Sequence, residues 1–291
     1  MMQGRFVAAA TVLLVLALAA GVHLFTTYDD YSRHNIQWNG TSSFFSHLEE
    51  HGAHEVWRPA DLGGYNDAVL IIIAPQGSPD AERIAAYRAF LARNNTVVLC
   101  DDFGSGNEFL AAVGSGITIL PGNLTSVDRE YADGAAVRGY RAGNHTLVEN
   151  ISTVLFNRPA ALSGGTPLLQ TSLLSWVDRN ANGRIDGDEV VSRYPVCAVE
   201  QVGGGEVIVI GDPGIFLNAM SGFSGENRQF IEALISLRPV LLVDQGWSRT
   251  ASAGAPTAAV RLAKEYPLLQ IAVAGLFIGA AAYFFRKRII R

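Results

Sequence analysis

The stretch from Ala68 to Asp102 constrains the fold more than any other, because it spells one complete strand, helix and strand. Ala68-Val-Leu-Ile-Ile-Ile-Ala74 is a short, wholly apolar run ended by Pro75, Gly77 and Pro79, the pattern of a strand buried on both faces. Thr96-Val-Val-Leu-Cys100 repeats that chemistry and stops at Asp101-Asp102. Between them Ser78 can cap a helix with Pro79 in its first turn, and Asp80 and Glu82 lie where the helix dipole favours negative charge. Ala81, Ile84, Tyr87 and Leu91 recur at helical spacing and form one apolar stripe. The unit predicts a right-handed parallel crossover, and with it an open α/β sheet whose ligand crevice lies at the carboxyl ends of its strands.

The chain has 291 residues, 49% of them hydrophobic, which is ample for a core. Part of that apolar content sits at the two ends. Residues 6–25 carry no charge, and a run of that length suffices to cross a bilayer as a helix. Residues 268–285 form a second run, interrupted only by Gln270. The sequence therefore predicts a transmembrane helix at each end, with Ala17-Leu18-Ala19 as the cleavage site of the rival signal-peptide reading. Arg5 before the first run, and Arg286, Lys287, Arg288 and Arg291 after the second, place both termini in the cytoplasm. The expected localisation is the cell membrane, with two spans and an extracytoplasmic main domain over 30–250. A linker over 251–267 and a basic tail over 286–291 complete the arrangement, and the lipid bilayer becomes an expected partner. Sequons at Asn39, Asn94, Asn123, Asn144 and Asn150 all fall in the segment assigned to the outside. A net charge of −5, with basic residues gathered at the chain end, argues against nucleic acid. Cys100 and Cys197, the two cysteines, both lie in apolar strand-like runs and read as buried thiols.

Within the main domain, Ser43 to His51 reads as a helix and His54 to Arg58 as a first strand. Residues 116–166 lose regular periodicity and read as a lateral insertion, with short strands at 117–120, 146–148 and 153–156. Val196 to Val202, a Gly203-Gly204-Gly205 turn and Val207 to Ile210 give two more strands. Ser224 caps a helix bearing Phe230, Ile231, Leu234 and Leu237, and Val240 to Val243 closes the sheet.

Residues 178–189 carry the strongest chemical signal, because Asp178, Asn180, Asn182, Gly183, Arg184, Asp186 and Glu189 fit every constrained position of a twelve-residue calcium loop. Asp178, Asn180 and Asn182 supply side-chain oxygens to a hard cation, Gly183 permits the sharp turn, and Arg184 offers its carbonyl. Asp186 acts through water, and Glu189 closes the site with both oxygens. Pro195 follows too soon for a full exit helix, so the loop is of the isolated kind, and calcium is expected as a structural ion. Three carboxylates predict weak binding, with Kd of roughly 10⁻⁴ to 10⁻³ M.

A second candidate site lies at the expected crevice. Asp101, Asp102, Gly104, Gly106 and Asn107 follow one strand, and Asp212 and Asn218 follow another. Glycine turns beside acids suit hydroxyl or cation ligands better than phosphates. Enzymatic signals are weak: Gly104-Ser-Gly106 lacks the third glycine of a dinucleotide fingerprint, and Cys100 lacks the small neighbours of a nucleophile elbow.

The order of elements from Ile36 to Asp244 carries a resemblance, together with Ile73-Ala-Pro75, Cys100-Asp-Asp-Phe-Gly104-Ser-Gly106-Asn107, Ser175-Trp176-Val-Asp178 and Gly211-Asp212-Pro-Gly-Ile-Phe216-Leu-Asn218. It resembles a domain family of unknown function from prokaryotic membrane-anchored proteins, related to class I glutamine amidotransferases and the gliding-motility auxiliary transport protein. The resemblance implies a flavodoxin-like fold: an open, mostly parallel sheet with helices on both faces. It also implies genes found beside those of a MoxR-type ATPase and a von Willebrand factor-like protein, and with them membrane-complex partners such as a MoxR-type ATPase system. It carries no catalytic residues, and the amidotransferase Cys–His pair has no counterpart here. The expected function is a non-catalytic binding or assembly module with a structural calcium site. The alternative is an amidotransferase-like or hydrolytic enzyme that uses Cys100 or the crevice carboxylates.

Overall fold

The computed structural model describes residues 27–128, 133–220 and 225–252. In chain order its helices are α1 (Ser42–Glu50), α2 (Ala81–Leu91), α3 (Asn107–Val113) and α4 (Gly225–Ile235). The first strands are β1 (His54–Val56), β2 (Ala68–Ile73), β3 (Thr96–Cys100), β4 (Thr118–Ile119), β5 (Asn123–Ser126), β6 (Ala136–Arg141) and β7 (Thr153–Asn157). Then come β8 (Leu162–Ser163), β9 (Thr166–Gln170), β10 (Ser175–Asp178), β11 (Pro195–Val202), β12 (Gly205–Ile210) and β13 (Val240–Asp244).

Every residue of β2 and β3 is buried, and the two strands pair in parallel with Val69 opposite Thr96 and Ile73 opposite Cys100. Alternate residues of β2 serve opposite faces, as strand geometry requires. Leu70 and Ile72 pack with Tyr87, Phe90 and Leu91 of α2 and with Phe109 and Leu110 of α3. Val69, Ile71 and Ile73 pack with Phe44, Phe45 and Leu48 of α1 and with Phe230 and Leu234 of α4. The α2 stripe is thus Tyr87, Phe90 and Leu91, while Ala81 is exposed. The helix begins later than expected: Asp80, not Ser78, caps it, with its carboxylate accepting from Arg83 N at 2.7 Å. The expected Ser224 cap of α4 lies outside the described residues.

The sheet corrects the expected flavodoxin-like, mostly parallel architecture. It is a nine-stranded mixed sheet in the order β1-β13-β2-β3-β12-β11-β9-β6-β7. The first five strands run parallel, and every pairing from β12 to β7 is antiparallel. The physical reason lies at Gly203-Gly204, because a two-residue connection between β11 and β12 can only reverse the chain. Beyond that hairpin, β9, β6 and β7 continue the main sheet, so two strands of 116–166 extend it, while β4, β5 and β8 lie in two small two-stranded sheets. The expected strand at 146–148 is a turn of 3-10 helix.

The transmembrane helix expected at each end, and the two-span membrane localisation built on it, are also corrected. Among the described residues no helix is long and apolar enough to cross a membrane. A span needs about 20 apolar residues, whereas α2 and α4, the longest described helices, have 11 each. The runs 6–25 and 268–285 themselves lie outside the described residues.

Candidate functional site

The parallel half of the sheet delivers an acid at the carboxyl end of three strands. Asp244 ends β13, Asp101 and Asp102 follow β3, and Asp212 follows β12 one residue on. Three of these four acids are fully buried and hydrogen-bonded to backbone. Asp101 accepts from Phe103 N at 2.9 Å and Gly106 N at 2.7 Å, which shapes the glycine turn. Gly104 takes a left-handed φ of 78°, and a Cβ on Gly106 would lie 2.5 Å from Leu99 Cδ2, so the turn demands both glycines. Asp212 accepts from Gly214 N at 2.5 Å and from Asn157 N of β7 at 2.6 Å. Asp244 accepts from Tyr87 Oη at 2.8 Å, Trp247 N at 2.7 Å and Ser248 N at 2.9 Å, with Arg83 Nη1 3.4 Å away.

Asp102 differs. Its Oδ1 is buried and has no hydrogen-bond partner among the described residues. Burial, and then the charge of Asp101, push its carboxyl up to about 7. Burial, and then Asp102, push Asp212 up to about 8. Burial, and then Asp102 and Asp212, also raise the Tyr31 phenol. Tyr31 meets Phe103 edge to face at 6.4 Å, and the Arg249 guanidinium lies over the Phe103 ring, 4.2 Å from its centre. Tyr31 (φ 63°) and Ala74 (φ 47°), which follows β2, both take left-handed backbone without being glycine. Such strain concentrates where a fold holds a side chain for use. Tyr31 is fixed there by its N–H to Asn39 O at 2.9 Å and by Thr41 Oγ1, which donates to its carbonyl at 2.7 Å.

Asp101, Asp102 and Asp212 therefore gather at the carboxyl edge of the parallel strands, with Gly104 and Gly106 forming the turn that leads from β3 into α3. The remaining expected crevice residues do other work. Asn107 pairs its amide with Ile119 N at 2.8 Å and Ile119 O at 2.9 Å, fastening α3 to β4. Asn218 accepts from Ser43 N at 2.9 Å and donates to Gln37 O at 2.7 Å, holding the entry to α1. Tyr31, Arg249 and Asp244 were not among the expected crevice residues. Asp244 had a signal, since it follows Val240 to Val243 as Asp101 follows β3. Tyr31 and Arg249 arrive from distant loops and left none.

Cys100 and Cys197 are both free and fully buried, and burial pushes both thiols well up. A nucleophilic thiolate needs the opposite environment.

The 178–189 loop leaves β10 directly, and no helix follows it among the described residues before β11. Its oxygen-bearing side chains turn inward on one another. Asp178 accepts from Asn182 N at 3.1 Å and Gly183 N at 2.7 Å; Asn180 and Asn182 both donate to Asp186 Oδ2, at 2.7 and 2.9 Å. Glu189 spans the loop with its two oxygens, accepting from Arg179 N at 2.9 Å and Asp186 N at 3.1 Å. Gly183 takes the left-handed φ of 69° that the turn requires, and the Arg184 N–H goes to Asn182 Oδ1, at 2.7 Å. The residue types, carboxylates and amides around a glycine turn, are those a hard cation takes. Here, however, the Asn180 and Asn182 amide nitrogens face Asp186 while their oxygens accept from loop N–H groups, so both amides would have to turn to offer oxygens to an ion.

A family model with the description "Domain of unknown function (DUF4350)" matches residues 33–235. The chain belongs to this family. The match takes in α1, the whole parallel core except β13, and the 178–189 loop, so the DUF4350 domain contains three of the four strand-end acids. No curated protein matches the chain. Among solved structures it is similar to the "mmIFT52 N-terminal domain", with 15% identity over 68% of this chain and 89% of that one, at a TM-score of 0.49. It is also similar to the cytoplasmic protein STM1381 from Salmonella typhimurium LT2, with 14% identity over 66% and 81% and a TM-score of 0.37. For the β-galactosidase from Bacillus circulans sp. alkalophilus the values are 11%, 54% and 22%, and 0.33. At these scores none of the three bears on function.

Proposed function

We propose that this DUF4350 domain is a non-catalytic binding module whose carboxyl-edge crevice takes a neutral, hydroxyl-bearing small molecule. The observation that carries the reading is the buried Oδ1 of Asp102, which has no hydrogen-bond partner among the described residues and lies within the field of Asp212 and Tyr31. A carboxyl raised to about 7 both donates and accepts hydrogen bonds near neutrality, as a hydroxyl partner requires, and the surrounding acids repel an anion. The position accords with the rule that open α/β sheets bind ligands beyond the carboxyl ends of their parallel strands. In this reading the 178–189 loop holds a structural calcium ion through Asp178, Asn180, Asn182, the Arg184 carbonyl, Asp186 and Glu189, and takes no part in ligand binding.

The test is a thermal-shift panel of monosaccharides and linear polyols, with inorganic phosphate as the contrasting anion. At least one neutral compound is expected to raise the midpoint of the wild type and to leave Asp102→Leu unmoved. No shift by any polyol, or an equal shift in Asp102→Leu, would sink the reading. A second reading, hydrolysis by the same acids, is favoured by their raised proton affinities, since acid–base catalysis works best with groups poised near neutral pH. It is the form in which the amidotransferase-like relation survives, because the buried Cys100 thiol does not suit that chemistry. Turnover of chromogenic esters or glycosides that disappears in Asp102→Asn would select it over simple binding.

A further inference from the structure

Far from the crevice acids in sequence, α1 ends in a His47-x-x-x-His51 pair, and α4 brings Glu232 against it. His47 Nε2 lies 3.0 Å from Glu232 Oε1, and His51 Nε2 lies 4.0 Å from Glu232 Oε2. One ligand atom from each of the three lies within 4.8 Å of the others. A four-coordinate zinc ion with bonds of about 2.0–2.1 Å separates its ligand atoms by about 3.3 Å, so small side-chain movements would close the set around one ion.

The outward-facing nitrogen of His51 strengthens the case. His51 Nδ1 lies 2.9 Å from the His47 carbonyl oxygen, and His47 Nδ1 lies 3.6 Å from Glu50 Oε2. The His51 contact favours Nδ1–H on that ring and leaves its Nε2 as a ligand. His47 Nε2, 3.0 Å from Glu232 Oε1, instead donates its proton to the carboxylate, and a metal ion would take that proton's place. The His51 Nδ1 contact is the outer-shell arrangement by which proteins orient histidine ligands. The pair also sits at the carboxyl end of α1, where the helix dipole favours a cation. The His47 and His51 side chains are 25% and 40% exposed, and their rings meet edge to face at 4.4 Å between centres, which limits rotation. A nearby cation, Arg228 Nε at 3.9 Å from Glu232 Oε1, belongs to a side chain that is 78% exposed and free to swing into solvent. His47 and Glu232 also border a cavity of 190 Å³ walled by Phe44, Ile215, Phe216 and Met220, which leaves room for a fourth, exogenous ligand.

We propose that His47, His51 and Glu232 bind one divalent transition-metal ion, best suited to Zn²⁺, that ties α1 to α4 and keeps a coordination position open. Imidazole nitrogens select such a metal, whereas the all-oxygen loop at 178–189 suits calcium, so the two sites divide hard from borderline cations.

The experiment titrates the chelator-stripped full chain with Co²⁺, follows the visible absorption, and then competes with Zn²⁺. One equivalent of Co²⁺ is expected to give an intense four-coordinate spectrum that one equivalent of Zn²⁺ abolishes. His51→Ala and the isosteric Glu232→Gln should each weaken Zn²⁺ binding at least tenfold while their midpoints in chelator match the wild type. Glu189→Gln, in the other loop, should bind Zn²⁺ as the wild type does. If His51→Ala has a lowered chelated midpoint, Glu232→Gln alone decides. No uptake by the wild type, equal uptake by the variants, or uptake lost in Glu189→Gln would each overturn the site.

Discussion

Asp102 and Asp212 are both held above the ordinary carboxylate range, each chiefly by burial and then by a neighbouring acid. The consequence for stability has a definite sign. An aspartate in the unfolded chain titrates near 4, and in the folded protein these two titrate near 7 and 8. Between those limits the native state binds more protons than the unfolded chain, so stability falls as pH rises through the window and levels off above it. Asp102→Asn should therefore flatten the decline between pH 5 and 8. At pH 8 it should gain on the order of 1–2 kcal/mol, a figure reduced for the partial exposure of the side chain. Urea unfolding of both proteins at the two pH values checks this, and parallel pH profiles would contradict it. Asp244 makes the opposite prediction. Asp244→Ala would strand Tyr87 Oη, two backbone N–H groups and the partly buried Arg83, at a cost of about 3–5 kcal/mol in the same assay. A loss below about 1 kcal/mol would show that the 244–248 loop is held by other contacts. The sequence exposed the acids because each follows an apolar run that reads as a buried strand. It could not rank them. Whether an aspartate is consumed by a turn, as Asp101 is, or left with an open oxygen, as Asp102 is, depends on backbone geometry that periodicity does not encode.

At the scale of elements, the decisive feature is the β11–β12 hairpin. The run of three glycines was readable as a turn, and a turn that short fixes an antiparallel pair, so the switch from parallel to mixed sheet was latent in the sequence. What hid it was the neighbouring stretch from 116 to 166, whose strands are short, half-polar and separated by loops. The burial of β6 is decided by partners such as Val196 of β11 and Phe156 of β7, not by its own pattern. Gly205 shows how tightly the hairpin is set. A Cβ there would lie 2.1 Å from Asn95 O and 2.7 Å from Leu91 O, both backbone atoms that cannot step aside. Gly205→Ala should push β12 from its place beside β3 and cost about 1–3 kcal/mol. Gly203, with open space around the position of its Cβ but a φ of 63°, should lose only about 1 kcal/mol as Ala. Denaturant midpoints of the two variants give the comparison, and an equal or reversed order would mean that the turn conformation, not the contact with Asn95, limits the hairpin.

Residues Asp29 to Ser252 form one compact unit, and β10, which launches the 178–189 loop, is buried along its length and pairs with β5. Asp178, the first residue of the loop, is itself the last residue of that strand. An ion bound by the loop is therefore coupled to the core through a buried strand end, not through a flexible tether. For a ligand that binds only the native state, the stabilisation is set by concentration over Kd. With Kd of roughly 10⁻⁴ to 10⁻³ M, 10 mM calcium would add about 1.4–2.7 kcal/mol, or roughly 3–10 °C for a unit of this size. Because the unit is contiguous, calcium should move one cooperative transition as a whole. Glu189→Gln, which loses a carboxylate oxygen that spans the loop but keeps its shape, should abolish most of the shift and leave the midpoint in chelator almost unchanged. Scanning calorimetry of wild type and variant, each with 10 mM calcium and with chelator, distinguishes the outcomes. Coincident wild-type midpoints would remove the ion from the loop, and a biphasic melt in which calcium moves only the earlier step would show that β10 and its loop unfold apart from the nine-stranded sheet.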